Sequence, residues 1–162
     1  MIFMKKCKKI FTLMAILWMA AIFFFSSQNA DESTAQSNRA GMLAGHLFVR
    51  GFDSWTEQEQ LDFARKIDHP VRKTAHASEY ALLGMLLFGA MTGTRRRKMC
   101  YAWLASACYA ATDEFHQLFV PGRSGQLTDV CIDSGGAVVG ILAAAGISLL
   151  ISRIRVRHRQ SR

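Results

Sequence analysis

The stretch RRRKMCYAWLASACYAATDEFHQLFVPGRSGQLTDVCIDSGGAVVGILAAAGISLLISRIRVR, residues 95–157, decides the fold class. It opens on four consecutive cations, runs apolar from Met99 to Thr112, and turns acidic at Asp113 and Glu114. A short connector around Val120-Pro121-Gly122-Arg123 follows. Asp129 and Asp133 then precede a second apolar run that ends in spaced arginines. Two apolar runs with cations at one end and carboxylates at the other read as a helical hairpin crossing a bilayer twice. A charge at the bilayer centre costs a few kcal/mol, and cations are retained on the cytoplasmic side.

Two more runs lie upstream. Ile10 to Phe25 contains only Thr12 as a polar residue, and as a helix it spans about 24 Å at roughly 1.5 Å per residue. The lysines before it can snorkel, and Ser26-Ser27-Gln28 can extend the helix into the interface. A basic start followed by an apolar core also fits a cleaved signal peptide. No A-x-A-like site follows directly, so a retained span is expected. The remaining run, from about Thr74 to Gly93, is apolar after Tyr80 and begins with His76 and Glu79 near the membrane boundary. The expectation is an all-α membrane protein: one domain over residues 1–162, a bundle of four transmembrane helices at about 10–27, 74–93, 98–117 and 129–151, and a helical extracytoplasmic insert at about 28–73.

Composition agrees with a chain that folds or inserts. Of 162 residues, 51% are apolar and 20% charged, with two prolines and a mean hydropathy of +0.12, which excludes a disordered or collagen-like chain. The net charge of +8 would suggest a nucleic-acid partner if the cations shared a face; their positions instead report topology. Thirteen of the twenty Lys and Arg fall in three clusters without an acid among them: Lys5, Lys6, Lys8, Lys9; Arg95, Arg96, Arg97, Lys98; and Arg153, Arg155, Arg157, Arg159, Arg162. The seven others share the intervening segments with all twelve acids, for a net −5. The three clusters therefore belong inside, with both termini cytoplasmic, and the acidic segments outside. Cys7, Cys100, Cys108 and Cys131 form no CxxC pair and are too scattered for a disulfide framework or zinc ribbon.

Within the insert, Ser33 to Phe48 and Thr56 to Ile67 have the spacing of short amphipathic helices. Ala35, Met42, Leu43 and Leu47 fall broadly on one side of the first, and Leu61, Ala64 and Ile67 on one side of the second. Ser54 with Glu57 and Thr56 with Glu59 are alternative capping boxes. Both helices are expected to cap the bundle.

The ionisable residues gather at the outer ends of three helices. At about 100° per residue, Arg72, Lys73, His76, Glu79 and Tyr80 share one face of the second span, within an arc of about 120°. Asp113, His116 and Gln117 fall within about 100° on the third, with Glu114 beside Gln117. On the fourth, Asp129, Asp133, Gly136 and Gly140 lie within about 60°, so a GxxxG contact face sits directly below two carboxylates. Residues costly to expose to lipid face a bundle interior or a cavity and find partners there. Arg72, Lys73 and Arg123 can neutralise Asp113, Glu114, Asp129 and Asp133. His76, His116, Glu79 and Tyr80 are then left for hydrogen bonding or proton transfer. A network of structural ion pairs would concentrate the same residue types. His76-x-x-Glu79 and Asp113-x-x-His116 have ligand spacing, but three cations in the same region oppose a metal. No metal and no cofactor are expected.

In these stretches the chain resembles the VanZ-like family of bacterial membrane proteins. The resemblance rests on Arg72-Lys73-x-x-His76-x-x-x-Tyr80-x-x-Leu83, on Asp113-Glu114-x-His116-Gln117 with Pro121-Gly122-Arg123, and on Asp129-x-x-x-Asp133-x-x-Gly136-x-x-x-Gly140. The Phe25-Ser26-Ser27-Gln28 exit of the first span is similar too, and coverage runs from about residue 10 to 150. Asp133 is a departure, since Asn is about as expected there, and the Ser33 to Ile67 insert carries no family motif. The resemblance implies a small helical bundle in the bacterial cytoplasmic membrane; the founding member is associated with reduced susceptibility to the glycopeptide antibiotic teicoplanin. It supplies no reaction, and the label phosphotransbutyrylase sometimes attached to members finds no CoA-binding signature here.

Three functions are open on these residues. The leading one is an envelope protein whose outer pocket, built from Arg72, Lys73, His76, Tyr80, Asp113, Glu114, His116, Gln117, Arg123, Asp129 and Asp133, binds an anionic lipid or a lipid-linked wall precursor, with the bilayer as its other partner. The second is an enzyme at the same site, with His76 as acid or base and Glu79 or Asp129 orienting it. The third is a structural accessory subunit. The inner halves of the four spans carry no charge to pass a substrate across, which opposes a transporter.

Overall fold

A computed structural model of the protein describes residues 2–160, with side chains for residues 6–154, 156 and 157. Arg162 and the side chains of Lys5, Arg155 and Arg159, members of the terminal basic clusters, lie outside this description. The described residues form six α-helices and no strands: α1 (Ile2–Ser26), α2 (Ala30–Phe48), α3 (Glu57–Lys66), α4 (Asp68–Ala90), α5 (Arg95–Gln117) and α6 (Leu127–Gln160), with a 3-10 turn at Phe52–Ser54. Two of them, α1 over Lys6–Ser26 and α6 over Leu127–Ile154, carry segments long and apolar enough to cross a membrane. α4 and α5 have 23 residues each, but the ionisable residues at their ends dilute their apolar stretches. Hydropathy therefore singles out two spans where four were expected.

The helix ends differ from the expected ones for local reasons. α4 begins at Asp68, six residues before the expected span; Pro70 falls in its first turn, where no intrahelical N–H is needed. α2 begins at Ala30, because Asn29 accepts the Glu32 N–H at 2.9 Å while the Glu32 carboxylate accepts the Asn29 N–H at 3.2 Å. Of the two boxes proposed for α3, Thr56 with Glu59 forms, while the Ser54 hydroxyl donates to the Gly51 carbonyl at 2.7 Å.

α4 is the centre of the bundle, packing on α6, α1 and α5. Its close partner is α6. A Cβ on Gly136 would lie 2.2 Å from the Ala77 carbonyl oxygen, one on Gly140 1.7 Å from that of Ala81, and one on Gly84 2.5 Å from that of Ala137. The two backbones touch through small residues, the means by which helices in lipid gain contact without a hydrophobic driving force. Two small cores result: Ile22, Tyr80, Leu83, Ala110 and Ala137 in one, and Phe88, Ala102, Ile141 and Ala145 in the other, nearer the α4–α5 turn. The indole N–H of Trp18 donates to the Glu79 carbonyl at 2.9 Å, and the Tyr109 hydroxyl to the Met19 carbonyl at 2.6 Å, so α1 is hydrogen-bonded to both α4 and α5.

The outward surface is apolar. Leu13, Ile16, Leu17, Phe24, Leu104, Val139, Leu142 and Leu150 are all exposed, far beyond the scattered apolar side chains of a water-soluble surface.

Within the insert, α2 packs in the reverse sense to its hydrophobic pattern. The buried residues of α2 are Ser33, Ser37, Gly41 and Gly45, whereas Ala35, Leu43, Leu47 and Phe48 are exposed. The expectation that its apolar side faces the protein is corrected by contact distance: a Cβ on Gly41 would sit 3.2 Å from Ala64, and one on Gly45 2.3 Å from the Phe52 ring. Only the small face permits that approach. α3 follows its pattern, with Ala64 fully buried. Phe52, also buried, meets His46 and Phe63 edge to face and Trp55 at a tilt, at centroid distances of 5.0, 5.4 and 5.2 Å, giving the insert a core of its own.

Candidate functional site

The early start of α4 brings Asp68, Arg72, Lys73 and His76 onto successive turns at the bundle's polar end. Arg72 donates to the Asp68 carboxylate at 2.8 Å, one turn back, and to the Thr34 hydroxyl of α2 at 3.2 Å; the Ser37 hydroxyl also donates to Asp68. Lys73 pairs with Asp129 at the start of α6. The expected neutralisation is therefore redistributed. Arg72 is used by Asp68, an acid the sequence pattern assigned to no partner, although its i, i+4 spacing to Arg72 is a legible pairing signal.

Arg123 comes from the α5–α6 connector. Gly122 turns there with φ of +74°, and a Cβ on it would meet that of Ala30 at 2.8 Å, so glycine serves both the turn and the close approach to α2. The Arg123 Nε then donates to the Gln28 carbonyl at 3.2 Å. Burial holds its pKa below the ordinary value, the Arg72 charge adds to this, and Asp113, Glu114 and Glu79 oppose it. The guanidinium stays charged, and among the described residues it forms no ion pair.

Two cavities flank these cations. The first, of about 120 Å³, is lined by Arg72, Lys73, His76, Gln117, Arg123, Asp129 and Asp133, together with His69, Ser124 and Gln126. The second, of about 290 Å³, lies between the end of α1, α2 and α4, and combines Arg72, His76, Glu79 and Arg123 with Phe25, Ala40, Val71 and Ala75. Arg72, His76 and Arg123 form the wall common to both.

Asp133 is fully buried, and neither of its carboxylate oxygens has a hydrogen-bond partner among the described residues. The His76 Nδ1 and the Arg72 Nε are likewise buried without one. Unsatisfied buried polar atoms are costly, and they concentrate where something else supplies the partner. The lining of the first cavity thus carries unmet demand of both kinds: a cation free of ion pairs and an acceptor without a donor.

Several sequence-selected residues stand apart from the cavities. Asp113 is buried behind them, accepting from the Ser26 hydroxyl at 2.8 Å and from the Gln117 amide at 3.4 Å. Glu114 accepts the Gln126 backbone N–H at 2.8 Å and so fastens the end of α5 to the start of α6. Tyr80 lies in the core with Ile22, Leu83, Ala110 and Ala137, its hydroxyl unpartnered among the described residues. His116 turns to α1 instead, stacked on Phe23 at 4.5 Å and 3.2 Å from the Ser27 hydroxyl. This separates it from His76 and from the metal-ligand arrangement its spacing allowed. Among the described residues, no group of three His, Cys, Asp or Glu has the placement to hold a metal. Gly136 and Gly140 lie at the α4–α6 contact, below the carboxylates.

No curated protein and no solved structure matches the chain. The VanZ/LLP1 family model matches it over residues 11–151, a segment that takes in most of the two membrane-length helices and every residue lining the two cavities. The chain belongs to the VanZ/LLP1 family, as a membrane protein of the VanZ type.

Proposed function

We propose that the chain is a four-span protein of the bacterial cytoplasmic membrane, both termini inside, whose outward-facing polar site binds an anionic lipid or a lipid-linked wall-precursor group. The observation that carries this reading is the cationic wall shared by two cavities, in which Arg123 has no carboxylate partner among the described residues. A guanidinium drawn partly out of water and left without an ion pair is a strong donor to phosphate or carboxylate. The glycopeptide-resistance role associated with the family's founding member is part of the same reading, since a protein holding wall precursors at the outer surface stands where such antibiotics act.

The experiment is to express wild type and Arg123→Ala at equal membrane abundance in a teicoplanin-sensitive host, and to measure antibiotic response together with binding of a lipid-linked precursor to purified protein. Reduced susceptibility and precursor binding by wild type, with both lost in the variant, are expected. Unchanged binding and response in Arg123→Ala would remove the reading.

A second reading, an enzyme with His76 as acid or base, is favoured by its buried, unpartnered Nδ1 on the wall of both cavities. His76→Ala should then abolish turnover of a lipid-linked substrate while leaving its binding within a few-fold of wild type.

A further inference from the structure

Resting on the anion-site reading above, we infer that the ligand is an amphiphile with a phosphodiester headgroup bearing an N–H or O–H donor, its phosphate on Arg72 and Arg123 and its donor on Asp133. The two cavities divide the ligand's chemistry between them. The first is polar and small, about 120 Å³, and its lining holds both Arg123, free of ion pairs, and the fully buried Asp133, whose two oxygens lack any donor among the described residues. An anion alone would satisfy the arginine and leave the Asp133 oxygens without a donor. A cation alone would do the reverse. A group carrying both a negative charge and a hydrogen-bond donor satisfies each, which is the economical way to leave no buried polar group unmet.

The second cavity, about 290 Å³ between α1, α2 and α4, lies across the shared wall; Gln28, Ser33, Gln36 and Ser37 line part of it, and Phe25, Ala40, Val71 and Ala75 give it an apolar side. An apolar tail leaving a phosphate on Arg72 and Arg123 enters it directly. A lipid headgroup and a soluble phosphodiester share the first half of this chemistry, and only the lipid uses the second.

The test uses the full chain in detergent micelles, titrated with short-chain phosphatidylethanolamine, its N-methyl and N,N-dimethyl derivatives, phosphatidylcholine and soluble glycerophosphoethanolamine. Phosphatidylethanolamine and both partly methylated lipids keep an N–H; the choline lipid has none at the same headgroup charge. Affinity should hold through the second methyl and fall about tenfold or more at the third, the loss expected when a buried acceptor goes unpaired. Glycerophosphoethanolamine should bind at least about tenfold more weakly than the lipid, lacking the tail.

A graded decline along the methyl series would mean exclusion by size and would overturn the assignment to Asp133. Equal binding of the soluble diester would overturn the role of the second cavity. Asp133→Ala should bind the ethanolamine and choline lipids alike, and a preference that persists in it counts against the inference. Failure of the anion-site reading is separable, because then no phosphodiester binds, or binding survives Arg123→Ala.

Discussion

Lys73 and Asp129 join two of the long helices by an ion pair whose side chains are each about three-quarters buried. Pairs this enclosed lie between exposed ones, worth little, and fully buried ones, whose disruption strands a charge. Lys73→Met should destabilise the folded protein in detergent by about 1–3 kcal/mol, and Lys73→Met with Asp129→Leu should recover most of it. Thermal unfolding of the full mutant cycle measures this, and additive losses would show that the two side chains act separately. Glu59 gives a titration with a definite sign. It is exposed, and the Thr56 backbone N–H and hydroxyl, each 2.8 Å from its carboxylate, hold its pKa below the ordinary value. Its contribution is therefore fully present above the unfolded-state pKa and is lost as pH falls through the lowered folded value. Hydrogen exchange at the first turn of α3, corrected for intrinsic rates, should accelerate across that acidic window in wild type and show no such step in Glu59→Ala.

The helices themselves carry a contrast between glycines. Gly136 and Gly140 press on α4 backbone, whereas a Cβ on Gly135 or Gly146 would meet nothing within 4 Å. Gly140→Ala should force α4 and α6 apart and lower stability by about 1–3 kcal/mol. Gly135→Ala should be neutral or slightly stabilising, since alanine is the better helix former. Equal melting temperatures for the two variants would disprove the close contact. The α6 face is an instance of what the sequence makes legible, because a repeat of small residues aligned with Asp129 and Asp133 has few uses besides close packing. The Thr56–Glu59 box and the inward side of α3 are legible for the same local reason. The seating of α2 is not. Its pattern favours Leu43 and Leu47 as the buried side, but which side a neighbour can approach depends on Ala64 and Phe52, and no periodicity within α2 encodes them. Likewise the arc of Asp113, His116 and Gln117 is correct as an arc, yet it straddles a seam. Asp113 and Gln117 reach Ser26 inside, and His116 falls on Phe23 outside. A helical wheel gives relative angles and leaves open where each neighbour stands.

For the whole molecule, the division of charge and the apolar outer surface point to one arrangement in the bilayer. The described parts of the three basic clusters lie at the start of α1, at the start of α5 and towards the end of α6. Because α4 and α5 follow one another through a short turn, the antiparallel order sets the insert and the α5–α6 connector together at the opposite end, where both cavities lie. Hydropathy alone identifies only α1 and α6 as spans. α4 and α5 pack between them and carry their ionisable residues near their ends, so in the proposed four-span arrangement their crossing would depend on neighbours that cover Glu79, Asp113 and Glu114. Labelling can test the full topology. In a background with Cys7, Cys100, Cys108 and Cys131 replaced, a single cysteine at Gln58, exposed on α3, should react with a membrane-impermeant maleimide in intact spheroplasts. One at Thr92, exposed in the α4–α5 turn, should react only after lysis. Replacing Arg95, Arg96 and Arg97 with glutamate removes the charge that retains this turn inside, and should make a measurable fraction of the Thr92 site accessible from outside. If Gln58 and Thr92 are both labelled in intact cells without that change, α4 and α5 do not both cross, and the four-span arrangement is wrong. If Gln58 is protected and Thr92 labelled, the orientation is inverted and the cavities face the cytoplasm, beyond the reach of any extracellular precursor or antibiotic.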